Sequence, residues 1–235
     1  MATGTEMLAL ALTRRGEPYV NQRIRIDDPN WHGPWDCAEF MSWLVYQTSG
    51  RLYGCLDNSA NPARADAYTG SWKADSRRLG RRIPWRQAAA TVGAMLLRYP
   101  PQAGTMGHIA ISDGQGGTVE ARGRRYGVVA YTASGRDWDT GVLVPWIDYD
   151  SPGSEPALEE PALLYAAGRD AMDPAVVRRL QQALAAAGFD PGPIDGEYGP
   201  RTTAAVAAFQ SVRGLVVDGK VGPQTAEDLG IPLEP

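Results

Sequence analysis

The chain has 235 residues, 43% of them hydrophobic and 21% charged, with a formal net charge of −4. Seven Trp and ten Tyr on an ordinary apolar fraction exclude a disordered chain, and 27 Gly and 18 Pro without a period exclude a collagen-like one. The length fits one or two globular domains, and neither half reads as a nucleic-acid binder: residues 1–150 carry 17 Lys and Arg against 15 Asp and Glu, and residues 151–235 carry 6 against 12.

The longest apolar run near the start, Met7 to Leu12, is six residues long and is followed by Arg14 and Arg15, with no small-residue cleavage pattern behind it. Neither a signal peptide nor a membrane span is expected. Two cysteines, Cys37 and Cys55, are too few for a disulfide scaffold, and a four-ligand zinc site would need both of them and both histidines, His32 and His108. No metal is expected, and a single reactive thiol is the better reading.

Trp35-Asp36-Cys37-Ala38-Glu39-Phe40 opens a helix whose inward face is Phe40, Trp43, Leu44 and Gln47. Cys37 then lies in the first turn, where the positive end of the helix dipole and unpaired N–H groups favour a thiolate. Upstream, Trp31-His32-Gly-Pro-Trp35 reads as a loop, and its histidine as a wall or gate residue more than a base. Cys55 follows Tyr53-Gly in a loop-like stretch and reads as structural. Arg77, Arg78, Arg81, Arg82 and Arg86 form one basic cluster, read as a solvated face.

Residues 107–112, Gly-His-Ile-Ala-Ile-Ser, alternate as a strand, turn through Asp113-Gly-Gln-Gly-Gly and continue as Thr118-Val-Glu-Ala-Arg122. If paired positions of this hairpin sum to 228, His108 faces Glu120 directly; if they sum to 230, the two are diagonal neighbours on one face. Thiol, imidazole and an orienting acceptor are the parts of a nucleophilic triad. Arg122, Arg124, Arg125, Tyr126, Tyr131 and Trp138 surround the hairpin, either as a groove for substrate carboxylates or as ordinary core and surface residues.

Composition shifts at Asp150-Ser-Pro-Gly-Ser-Glu-Pro and stays rich in Pro and Glu to Pro161, which marks a semi-rigid linker over 151–172 with a short helix at 162–167. Val176, Val177, Leu180 and Leu184 then recur at helical spacing behind an Asp173-Pro174 start, with Gly188 as the stop. Asp195-Gly-Glu-Tyr-Gly-Pro-Arg-Thr202 and Asp218-Gly-Lys-Val-Gly-Pro-Gln-Thr225 repeat at an offset of 23 residues, each a tight turn feeding a Pro-started helix. Ala205, Val206, Phe209, Leu215, Val217, Val221, Ala226 and Leu229 supply a small three-helix core.

Residues 173–232 resemble the three-helix peptidoglycan-binding domain of cell-wall hydrolases. The resemblance rests on Leu180-Gln181, Leu184, Gly188, Asp195-Gly196, Gly199, Thr202, Ala205-Val206, Phe209-Gln210, Gly214-Leu215, Asp218-Gly219, Val221-Gly222 and Thr225. It implies binding to bacterial wall polymer. Residues 5–146 resemble the NlpC-type, papain-like cysteine peptidases through Gly16-Glu-Pro18-Tyr19, Asp36-Cys37-Ala38-Glu39-Phe40, Gly107-His108-Ile109-Ala110-Ile111 and Thr118-Val119-Glu120. That resemblance implies Cys37 as nucleophile, His108 as base and Glu120 as orienter, with Tyr19 and Asp36 near the pocket that receives the substrate peptide's amine end. Ala38-Glu39 stands where the family has Ser-Gly, which puts Glu39 in the substrate pocket, and Glu120 stands where His, Asn or Gln is commoner.

The expected fold is therefore α+β: a papain-like domain of helices on an antiparallel sheet over 1–150, then a small all-α domain over 173–235. The expected function is hydrolysis of an amide bond in the stem or cross-linking peptide of peptidoglycan by a monomer that needs no cofactor. Peptidoglycan is its partner, with no nucleic acid and no membrane. An N-acetylmuramoyl-L-alanine amidase resembling the CHAP class, or a catalytically silent wall-binding phage or injection-particle protein, are the competing readings. Without a signal peptide, the layout fits release from the cytoplasm by phage lysis or a secretion machine.

Overall fold

The computed structural model of the protein describes residues 2–102, 105–149, 172–213, 215 and 217–231. The chain divides into two compact units, one carrying every strand and the other the last three helices. The expected linker, with its helix over 162–167, lies outside the described residues but for Met172.

The larger unit starts with β1 (Ala2–Thr3) and α1 (Gly4–Leu12). Thr3 and Glu6 form a reciprocal capping box on α1, satisfying two N–H groups that a helix start leaves without partners. A long loop leads to α2 (Cys37–Ser49), whose N-cap is Asp36: its carboxylate accepts from Ala38 N at 2.7 Å and Glu39 N at 3.1 Å. Gly50, at φ +69°, ends the helix in the left-handed conformation that glycine adopts most easily.

The expected inward face of α2 is only part of what is covered. Every residue from Cys37 to Val45 is buried, so the first two turns are covered well beyond one face, and the reading of a single inward face fails there. Trp35 packs on Phe40 and Trp43 at ring-centroid distances of 4.9 and 5.0 Å. On another side Trp72 Nε1 donates to Ser42 Oγ at 3.0 Å, and Ser42 Oγ donates to the Tyr53 carbonyl at 2.7 Å. Gln47 reaches across to donate to the Ile26 carbonyl at 2.7 Å.

A single 3₁₀ turn (Pro62–Arg64), α3 (Thr69–Arg78), β2 (Arg81–Ile83), α4 (Trp85–Ala89) and β3 (Met95–Arg98) follow. Then come β4 (His108–Ser112), β5 (Gly117–Gly123), β6 (Gly127–Thr132), β7 (Thr140–Leu143) and β8 (Ile147–Asp148). Six strands form one antiparallel sheet in the order β2-β7-β3-β4-β5-β6, while β1 and β8 pair in parallel beside it. Alternation sends Met95, Leu97, Ile109 and Ile111 to the face that packs on α2, and Leu96 and Ala110 to the face that meets Ala88 and Ala89 of α4. With both faces covered, β3 and β4 are buried almost throughout.

The smaller unit holds α5 (Pro174–Ala186), α6 (Pro200–Arg213) and α7 (Pro223–Leu229) around Val177, Leu180, Leu184, Val206, Phe209, Val221 and Ala226. The repeated turns are anchored by a device that was not anticipated. Gln181 donates to Asp195 Oδ1, the Glu197 carbonyl and Thr202 Oγ1, and accepts from Gly196 N. Gln210 does the same for the second copy, donating to Asp218 Oδ1, the Lys220 carbonyl and Thr225 Oγ1 and accepting from Gly219 N. Val217, expected in the core, is 50% exposed, while Leu215 two residues before it is buried.

The architecture is thus the expected one, helices on an antiparallel sheet followed by a small helical unit. No described helix is long and apolar enough to cross a membrane.

Candidate active site

Two local structures bring the chemistry together. The Asp36 cap starts α2 at Cys37 and sets the thiol against the first residues of β4, where the backbone N–H of Ile109 reaches it. Gly107, just before that strand, lies so close to the end of β3 that a Cβ there would stand 2.2 Å from the Arg98 carbonyl oxygen. Only glycine lets the chain enter β4 along this path, and the next residue is His108.

The hairpin pairs Ile111 with Val119 and Ser112 with Thr118, so paired positions sum to 230 and His108 and Glu120 are diagonal neighbours. Nε2 of His108 hydrogen-bonds to Glu120 Oε2, and Thr118 Oγ1 donates to the other oxygen, Oε1, at 2.8 Å. A carboxylate only accepts, so Nε2 carries the proton and the lone pair of the neutral ring is on Nδ1. Glu120 is fully buried and His108 is 4% exposed, while Trp138 stacks at a tilt over the imidazole, 5.9 Å between centroids. Water has little access to this pair, which strengthens it.

Cys37 is itself buried. Burial first, then the neighbouring Asp36 carboxylate, pushes its thiol well above the ordinary cysteine range, while the Ile109 N–H and the Arg98 guanidinium pull the other way. Glu120 also acts on it electrostatically, which places thiol and carboxylate in one cluster. At rest Cys37 therefore holds a protonated thiol. Cys55 is a second free thiol, buried with Sγ 3.9 Å from the Tyr53 carbonyl, and burial pushes it up to about 12.

A cleft of about 430 Å³ opens beside Cys37. Its floor is Asp36, Cys37, Ala38 and Glu39, and its walls are Asn21, Gln22 and Arg23 on one side and Asp66, Ala67, Tyr68 and Thr69 on the other, with Leu56 and Met106 at the rim. Of the expected substrate residues, Asp36 and Glu39 line it, and Tyr19 does not. Tyr19 is instead bridged to Trp35 in the backbone, and its hydroxyl is raised by burial and by Cys37 and Asp36 close by.

Glu39 is the unusual member. Its carboxyl accepts from Ala67 N at 3.1 Å and from the Ile24 backbone, tying the two cleft walls to α2, while Oε2 is buried without a partner. Burial, with Asp36 and Asp66 nearby, raises it to about 8. It therefore presents a neutral carboxylic acid at neutral pH, not the charge that the sequence suggests.

His32 is held elsewhere, with Nδ1 at 2.9 Å from Glu17 Oε1 and 2.7 Å from Arg14 Nη1. Arg122 sits over the Tyr131 ring at 3.4 Å and the Tyr126 ring at 4.3 Å, away from the cleft lining. The wall residues Asp66, Tyr68 and Thr69 and the nearby Arg98 went unpredicted because each is distant in sequence from any motif. Among the described residues no group of three or more His, Cys, Asp or Glu is placed to hold a metal ion.

Comparison with known proteins agrees with the two-unit layout in its second part. Residues 174–229 match the family described as "Putative peptidoglycan binding domain", running from the first residue of α5 to the last of α7. Over 85 residues, 34% of this chain, it is 38% identical to N-acetylmuramoyl-L-alanine amidase CwlL of Bacillus licheniformis. The matched part spans 24% of that enzyme's length. The crystal structure of the NlpC/p60 domain of peptidoglycan hydrolase SagA is similar at 24% identity, covering 60% of this chain and 99% of that one with a TM-score of 0.42. The P60 domain of an antigen of M. avium subspecies paratuberculosis is similar at 20% identity over 60% of this chain and 92% of that one, also at 0.42.

Proposed function

We propose that the chain is a peptidoglycan hydrolase that cleaves an amide bond in the stem or cross-linking peptide, with Cys37 as nucleophile, His108 as base and Glu120 as orienter. The observation that carries this reading is the burial of imidazole and carboxylate as a bonded pair beside a thiol at a helix start. Few structural roles call for that combination, because each group is costly to bury alone.

Glu120 holds Nε2–H, so Nδ1 takes the thiol proton as Cys37 Sγ attacks the scissile carbonyl carbon. Backbone N–H groups at the start of α2 stabilise the oxyanion. The imidazolium, itself stabilised by the Glu120 carboxylate, gives its proton to the departing amine as the C–N bond breaks. A water activated by the same histidine then hydrolyses the thioester and restores the thiol. No cofactor takes part. The cleft floored by Asp36 and Glu39 receives the peptide, and the α5–α7 unit holds the enzyme on the wall and raises its local concentration there.

A second reading is favoured by the likeness to an amidase and by the carboxylate third residue: cleavage between muramic acid and the first alanine. Digestion of purified sacculi separates the two. New amine ends within peptides support the endopeptidase, and free lactyl ends on glycan chains support the amidase. Sacculi that bind the protein but release nothing overturn both and leave a wall-binding role.

A further inference from the structure

The basic cluster read from the sequence as a solvated face is more specific than that in three dimensions. Lys73 and Arg77, one turn apart on α3, and Arg82 on β2 converge on the ring of Tyr99, with their charged groups 4.5, 6.0 and 5.7 Å from its centroid. None of the three makes an ion pair with a carboxylate among the described residues. Two acids in this region are hydrogen-bonded to other groups: Asp75 accepts from Gly54 N, Asn58 and Arg78, and Asp139 accepts from Tyr99 N at 2.6 Å. The Tyr99 hydroxyl is enclosed and has no hydrogen-bond partner. Three like charges gathered on the face of one ring repel one another, and the ring offsets only part of that repulsion. An oxyanion held between the three cations relieves it.

We propose that Lys73, Arg77, Arg82 and Tyr99 form an anion-binding site on the larger unit that takes a phosphate group of a phosphodiester polymer of the bacterial wall. The proposal rests on the wall-hydrolase reading for its choice of polymer. Three converging cations exceed what a single carboxylate neutralises, whereas a chain of phosphates supplies charge at short spacing, and exposed Arg81 on β2 extends the patch for a neighbouring phosphate. The site lies one helical turn along α3 from Thr69, a wall residue of the Cys37 cleft. Polymer held here would therefore seat the cleft beside its substrate.

The test uses the full chain and poly(glycerol phosphate) as the probe, titrated at two salt concentrations, with polyglutamate and duplex DNA of matched charge as comparisons. Lys73→Gln/Arg77→Gln/Arg82→Gln should bind the probe at least about ten-fold more weakly than wild type, with the salt slope reduced by about 2 to 3. Lys73→Arg/Arg77→Lys/Arg82→Lys should bind within about two-fold of wild type, which separates lost charge from lost fold. Equal binding by the neutral variant, equal loss in the charge-preserving variant, or tighter binding of polyglutamate or DNA than of the probe would each overturn the proposal. Soluble peptide hydrolysis by the neutral variant reports on the active-site reading separately, since the cluster lies outside that machinery.

Discussion

Glu120 closes on Nε2 of His108 from the neighbouring strand, two positions away from direct register, and is itself held by Thr118. The diagonal geometry leaves the carboxylate fully buried with each oxygen engaged, so it fixes both the ring orientation and the tautomer. Glu120→Gln keeps shape and burial but can offer its NH₂ to Nε2, which favours the wrong tautomer. We expect turnover of sacculi to fall by about 10²- to 10⁴-fold with little change in wall binding. Equal turnover by the variant would remove Glu120 from the mechanism.

Glu39 predicts a pH dependence of stability. It is neutral in the folded chain up to about pH 8, whereas in the unfolded chain it ionises near 4.5. Between those values the folded state holds a proton that the unfolded state has released, so stability falls as pH rises from about 4.5 to about 8 and levels off above. Glu39→Gln keeps an acceptor for Ala67 N and removes the titration. Its melting temperature should therefore stay flatter over that range and exceed wild type by most at the alkaline end. Parallel melting curves for the two proteins from pH 5 to 8 would contradict the assignment.

Gln181 and Gln210 predict a modular loss. The Gln181 amide serves four groups and the Gln210 amide five, inside a unit of about 60 residues where one core supplies only about 3–5 kcal/mol. Replacing either by Ala leaves a glycine N–H and several acceptors without their partner, at a cost of about 2–4 kcal/mol. Gln181→Ala and Gln210→Ala should each abolish sacculus binding and melt the helical unit early in calorimetry. Soluble peptide cleavage by the larger unit should persist, and its loss in both variants would show that the units do not fold separately.

Gly107 predicts a fault in positioning. A methyl group there meets backbone, not a flexible side chain, so Gly107→Ala has to move the strand start that carries His108. The stability cost should be about 1–3 kcal/mol, and kcat should fall more than KM rises. A variant that melts lower yet keeps full kcat would show that the strand start tolerates the shift.

What was legible in the sequence was local. The Asp36 cap, the Cys37 helix start, the hairpin that puts His108 and Glu120 on one face, and the two Asp-Gly turns all follow from spacings of a few residues. The hydrogen bonds that define them join residues close in sequence. The cleft was not legible, because Arg23 and the stretch from Asp66 to Thr69 are far apart in sequence and meet only in the folded chain. The burial of the first two turns of α2 was missed for a related reason: Ser42 and Cys37 are small or polar in sequence, and only their partners Tyr53, Trp72 and Ile109 make them interior residues. Glu39 shows the same limit in its charge, since nothing in Ala38-Glu39-Phe40 reveals that the carboxyl is neutral.

The most direct test of the central claim compares wild type with Cys37→Ala on purified sacculi, scoring fragments by mass and the protein retained on the wall by sedimentation. Cys37 contributes a thiol at the helix start and no cap, so the alanine variant should fold and bind as wild type does. The account predicts that it releases no fragments while wild type releases peptides with new ends. Release of the same fragments by both proteins would contradict it, because hydrolysis would then proceed without the Cys37 thiol.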